Sequence, residues 1–205
     1  MKGCRPFTNE ELEAISDFFD NEGKDNSIRD KTVLFLCVYT GRRISEIISL
    51  RCSDVMTEKG DIRESIYFKR SNLKGKKEGF ISIINEACSK LLTAYINKYD
   101  MIQKMSIEKN ACLFPNKNNL ILHISRFTAN NIFKKIRTEL ELDGKINTHS
   151  CRKTFAKVIY DGTGNDLVSL QNALGHRNIS STCSYVKGQD EKVMSIISNL
   201  DFSKR

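Results

Sequence analysis

Residues 28–50 read IRDKTVLFLCVYTGRRISEIISL, and this stretch decides the fold. From Val33 to Tyr39 the run is apolar on nearly every side, the pattern of a helix buried all round. Gly41 interrupts it, and Ile44, Ile47 and Ile48 then recur at i, i+3 and i+4. That spacing predicts a second, short helix ending near Leu50.

Working outward, the flanks supply more helices. Thr8 with Glu11 three residues later forms a capping box that opens a helix to about Phe19. Asn21 to Ser27 is a polar loop. Downstream, Ile62, Ile66 and Phe68, then Phe80, Ile81 and Ile83, flank a basic turn from Lys69 to Lys77. This predicts a small antiparallel hairpin with a lysine-rich tip. Asn85 can cap a helix carrying Leu91, Leu92, Tyr95 and Ile96. Leu113 to Pro115 and Asn116 to Asn119 read as a strand and turn. Ser125 or Thr128 opens a helix to Leu140, and Thr148 to Tyr160 is another. Asn165 can cap the next, which Gly175 closes. A short segment from Ile179 to Val186 and an amphipathic helix from Glu191 to Leu200 finish the chain. The expected fold is mainly α with a small antiparallel β-sheet (α+β), as one domain over residues 1–205.

Composition narrows the function. The 205 residues carry 33 Lys and Arg against 25 Asp and Glu, so 33 − 25 gives a net charge of +8. An anionic partner suits that excess without being required by it. At 40% hydrophobic with two prolines, the chain is neither disordered nor a proline-rich linker. The longest unbroken apolar run is Val33 to Tyr39, far too short to span a membrane. The amino terminus lacks an apolar signal region, and the seven cysteines lack the close spacing of a zinc knuckle. Reduced thiols and a cytoplasmic location are expected, with neither metal nor cofactor.

Three clusters carry chemistry. In Thr40-Gly41-Arg42-Arg43-Ile44-Ser45-Glu46, a glycine turn puts Arg43 at a helix start, where a guanidinium fork and free amides can share a phosphate. Glu46, one turn on, can orient that guanidinium. In Thr148-His149-Ser150-Cys151-Arg152, His149 and Arg152 stand at i, i+3 on one helix face. The third cluster is Leu174-Gly175-His176, with Tyr185 nine residues beyond. Each alone is ordinary: a solvated turn, a structural His–Arg pair, an amphipathic tyrosine.

Together and in this order, Arg43, His149, Arg152, His176 and Tyr185 resemble the signature of the tyrosine recombinases, the phage-integrase family. The resemblance runs through TGRRISEIISLRCSD, THSCRKTFA and LGHRNISSTCSYV. It implies that family's catalytic-domain fold. It also implies a catalytic lysine on the hairpin, for which Lys74 fits best, with Lys69, Lys76 and Lys77 as alternatives. The implied chemistry has Arg43 and Arg152 neutralise the phosphate, His176 add a hydrogen bond, and Tyr185 attack phosphorus to form a 3′-phosphotyrosyl bond. His149 then handles the phenol proton, and Lys74 protonates the departing 5′-oxygen.

The implied partner is double-stranded DNA, bound by a homodimer or homotetramer. DNA contacts are expected from Arg42, Lys69, Arg70, Lys76, Lys77, Lys153 and Arg177. Family members usually carry an amino-terminal core-binding domain; with the first capping box already at Thr8, that domain is expected to be absent, the chain being either an isolated catalytic fragment or a naturally short member. Residues 188–205, with Val193, Ile196, Ile197 and Leu200 on one face, are expected to pack either in cis or in trans on a neighbouring protomer. The implied function is site-specific DNA recombination by integration, excision or inversion. The rivals are a type IB topoisomerase and a catalytically idle DNA-binding regulator.

Overall fold

A computed structural model describes residues 3–68, 79–100, 111–176 and 178–183. The elements run α1 (Asn9–Asn21), α2 (Ser27–Thr40), α3 (Ile44–Ile48), α4 (Cys52–Val55), β1 (Ser65–Phe68), β2 (Phe80–Ile83) and α5 (Glu86–Tyr99). They continue as β3 (Pro115–Asn116), β4 (Asn119–His123), α6 (Arg126–Glu139), α7 (Thr148–Gly162), α8 (Leu167–Leu174) and α9 (Ile179–Cys183).

Helix α2 is the hub. Val33, Leu34, Leu36 and Cys37 are fully or almost fully buried, and α1, α3, α5, α6 and α7 all pack on it. The all-round apolar pattern is thereby explained: no face of α2 is left for water. The main core joins α1 to α6 through residues such as Ile15, Phe19, Ile47, Leu92, Phe114 and Ile136. A smaller cluster of Ala156, Tyr160, Leu170 and Leu174 fastens α8 to α7.

The caps follow local chemistry. The Thr8 hydroxyl accepts from the Glu11 amide at 3.2 Å, and the Glu11 carboxylate accepts from the Thr8 amide at 2.9 Å. Ser125, rather than Thr128, starts α6, accepting the Thr128 amide at 3.0 Å. One expectation needs correcting. Helix α8 is capped by Asp166, whose carboxylate accepts from the amides of Val168 and Ser169. Asn165 precedes the cap with a φ of 71° and so turns the chain instead.

The hairpin forms as expected, with Ser65 opposite Ile83 and Phe68 opposite Phe80. Its buried face holds Ile66, Phe68 and Ser82, whereas Ile81 and Ile83 are 59% and 72% exposed. Gly79 has the Tyr67 ring directly over it, where an added Cβ would lie 2.3 Å from ring carbon. The lysine-rich tip, including Lys69, Arg70, Lys74, Lys76 and Lys77, lies outside the described residues. A second two-stranded sheet, β3–β4, extends beyond the expected strand and turn. No helix among the described residues is long and apolar enough to cross a membrane.

Gly41 ends α2 at φ 63°, in the left-handed region, with its amide donating to the Cys37 carbonyl. A Cβ there would come within 2.3 Å of the Phe155 ring on α7. Gly41→Ala should therefore lower stability by about 2–5 kcal/mol, combining left-handed strain with overpacking. A lower denaturant midpoint at unchanged m-value is the expected measurement.

Candidate phosphate-binding site

The turn after α2 and the first turns of α7 come together because both helices pack along their lengths. Arg43 is the residue before α3, with its side chain 41% exposed. Glu46 is only 2% exposed. Its carboxylate accepts from the Arg43 amide at 2.9 Å and from the Arg43 guanidinium at 3.2 Å. Glu46 thus orients Arg43, as the spacing suggested.

Arg152 is 1% exposed, an unusual place for a cation. Its guanidinium donates to the Gly41 carbonyl at 2.6 Å and to the Leu174 carbonyl at 2.9 Å. It also lies 2.8 Å from Nε2 of His176. A guanidinium can only donate, so Nε2 accepts and the proton sits on Nδ1. That proton is donated to the Thr182 hydroxyl at 3.0 Å. His176 therefore buttresses Arg152 in this state, and the same bond chain holds α9, the last described segment before Tyr185. Tyr185 and Arg177 lie outside the described residues.

A cavity of about 210 Å³ opens between these elements. It is lined by Arg43, Ile44, Ser45, Arg126, Asn130, Thr148, His149 and Arg152. Three of the eight are arginines and none is acidic, so the cavity selects an anion. Arg43, His149 and Arg152 meet as their order implied, and His176 stands behind Arg152. Arg126 and Asn130 were not anticipated. They sit one turn apart at the start of α6, away from the buried face formed by Ile132, Phe133 and Ile136. The signal was present as an Arg–Asn pair at i, i+4 beside a Ser cap, but such polar pairs are common on solvated helix faces.

Two of the residues expected to contact DNA have their cations hydrogen-bonded within the protein. Arg42 is 1% exposed, with its guanidinium 3.8 Å from the centre of the Phe80 ring and donating to the Ala173 carbonyl at 2.7 Å. Burial, with Arg152 close by, lowers its pKa to about 9, so it stays charged at neutral pH. Lys153 is half-buried and donates to the Cys4 carbonyl at 2.6 Å, tying α7 to the amino-terminal segment.

The His149 pKa is held below its ordinary value, first by desolvation and then by the charges of Arg43, Arg152 and Lys153. A histidine so shifted binds fewer protons folded than unfolded, so its share of stability rises with pH up to the ordinary value near 6.5 and falls in acid. His149→Gln should flatten the slope of unfolding free energy on the acid side of about pH 6.5. An imidazole titration by NMR should place the His149 midpoint below the ordinary histidine value.

The profile of the phage integrase family matches residues 5–192. A tyrosine recombinase XerH of Campylobacter jejuni is 30% identical over 192 residues, covering 90% of this chain and 48% of that protein. A XerC of Staphylococcus saprophyticus is 29% identical over 195 residues, covering 94% of this chain and 60% of that protein. The chain thus spans about half to three fifths of these relatives. A XerH site-specific recombinase bound to its difH substrate superposes with a TM-score of 0.70 at 21% identity, over 98% of this chain and 56% of that one. The catalytic domain of bacteriophage HP1 integrase matches over 98% of both chains, with a TM-score of 0.55 at 20% identity. These structures share the fold, and with the profile match across almost its whole length, the chain belongs to the phage integrase family.

Proposed function

We propose that the chain is the catalytic part of a site-specific DNA recombinase, cutting and rejoining strands through a 3′-phosphotyrosyl intermediate. The observation that carries this is the acid-free cavity where Arg43, His149 and Arg152, from distant parts of the sequence, converge. The family supports it, as do related XerH structures described as pre-cleavage and post-cleavage complexes with difH DNA.

A phosphodiester resists attack because its charge repels nucleophiles. Arg43 and Arg152 would hold the non-bridging oxygens and offset the charge that builds up in the transition state. Tyr185 would attack phosphorus in line while the bond to the 5′-oxygen breaks. A phenol with an ordinary pKa near 10 needs a base at neutral pH. His149 suits that task because its surroundings favour the neutral imidazole. The proton for the departing 5′-oxygen comes from Lys74, with Lys69, Lys76 or Lys77 as substitutes. A 5′-hydroxyl of another strand then reverses the step on the phosphotyrosyl bond, which conserves the phosphodiester's energy, so joining draws on neither ATP nor a metal. His176 acts first by holding Arg152.

Arg126 and Asn130 extend the anionic cavity along α6 and would contact the flanking backbone, replacing Arg42 and Lys153 in the DNA-facing set. Strand exchange requires at least two protomers on DNA. Residues 188–205, which lie outside the described residues, are the proposed element of exchange between them, with packing in cis as the alternative, and the enzyme acts in the cytoplasm on the nucleoid.

Nicked duplexes carrying a recombination site trap the covalent complex. Tyr185→Phe should form none; an adduct with that variant would remove Tyr185 as nucleophile. Arg43→Ala should keep the fold and slow cleavage by about 10²–10³-fold. DNA affinity should fall steeply with salt, as phosphate contacts release counterions. Relaxation of supercoils without exchange between sites would instead favour a topoisomerase.

A further inference from the structure

Two buried arginines stand side by side, and only one has a place in the proposed chemistry. Arg152 reaches the Gly41 and Leu174 carbonyls. Arg42 reaches the neighbouring Thr40 carbonyl at 3.2 Å and the Ala173 carbonyl at 2.7 Å. These four carbonyls belong to the carboxyl ends of α2 and α8, where unpaired C=O groups concentrate partial negative charge. The two guanidinium groups therefore stitch one helix end to the other. Arg42 adds a third tie. Its guanidinium lies on the face of Phe80 at 3.8 Å and within 6.0 Å of the Phe68 ring centre. Phe68 and Phe80 are paired across the hairpin, at the two ends of segment 69–78.

We infer that Arg42 is a positioning residue. It fixes the turn bearing His176, and the hairpin base, against the Arg43–Arg152 phosphate grip without touching DNA. Leu174 and His176 flank Gly175 just beyond Ala173, so loosening the Ala173 bond shifts two of the groups that hold Arg152. Glu46, buried nearby, is a negative charge that acts on Arg42. Its carboxylate is taken by Arg43, so Arg42 depends on carbonyl oxygens and aromatic faces instead. Lysine would keep the charge but lose the planar fork and the stack.

Arg42→Met and Arg42→Lys test this on the full chain, with Phe80→Leu as a second route that removes only the aromatic tie. The chain has three histidines, so an imidazole NMR spectrum reports on each. Without DNA, Arg42→Met should move the His176 resonances and leave those of His123 in place. On nicked duplex, covalent-complex formation should slow by about 10–100-fold, as expected for sub-ångström misplacement of reacting groups. Affinity for duplex DNA, and its salt slope, should stay within about threefold of the unaltered chain. Arg42→Lys and Phe80→Leu should fall between.

The inference is overturned if His176 does not move, if cleavage keeps its rate, or if affinity and cleavage fall together, which would make Arg42 a DNA contact. The rate arm rests on the recombinase reading and the NMR arm does not. An unaltered chain that forms no Tyr185 adduct refutes that reading, while the His176 resonances still decide the role of Arg42.

Discussion

The guanidinium of Arg152 is the contact on which the site depends. A cation buried this completely must find its counter-charge inside the protein. It finds the carbonyl oxygens of Gly41 and Leu174, at the ends of two helices far apart in sequence, together with the imidazole of His176. Satisfying one side chain therefore fixes the relative position of α2, α7 and α8. The same bonds leave Arg152 on the wall of the anion cavity. Charge that is costly to bury is held where a phosphate can use it.

The scaffold makes that arrangement possible. The second half of helix α2 is apolar on nearly every side, so neighbouring helices cover it, and its glycine terminus lets the Phe155 ring approach closely. Exposed Arg43 and buried Glu46 divide their work accordingly. One faces solvent on the cavity wall, and the other accepts two hydrogen bonds that hold it in place. The pKa of His149, at the start of α7, is pushed below its ordinary value by desolvation and by the charges of Arg43, Arg152 and Lys153.

Much of this was legible in the sequence. The helices, their caps at Thr8 and Asn85, and the hairpin strands follow from local spacing and short-range hydrogen bonding, which adjacent residues largely decide. The convergence of Arg43, His149 and Arg152 was legible through the ordered motifs that carry them. The fate of the basic residues was not. Arg42 and Arg43 are neighbours of the same type, yet one is sealed between Phe80 and the end of α8 and the other faces solvent. Lys153, whose place in a motif suggested a phosphate contact, donates to the Cys4 carbonyl of the amino-terminal segment.

The sequence by itself determined the elements, the family and the candidate site residues Arg43, His149 and Arg152, because these depend on residue type and spacing along the chain. Tertiary structure decided which cations line the cavity and which support the fold. That choice turns on burial, on where helix carbonyls end and on which ring lies opposite, all set by segments remote in sequence. Arg126 and Asn130 enter the site, and Arg42 leaves its surface, for this one reason.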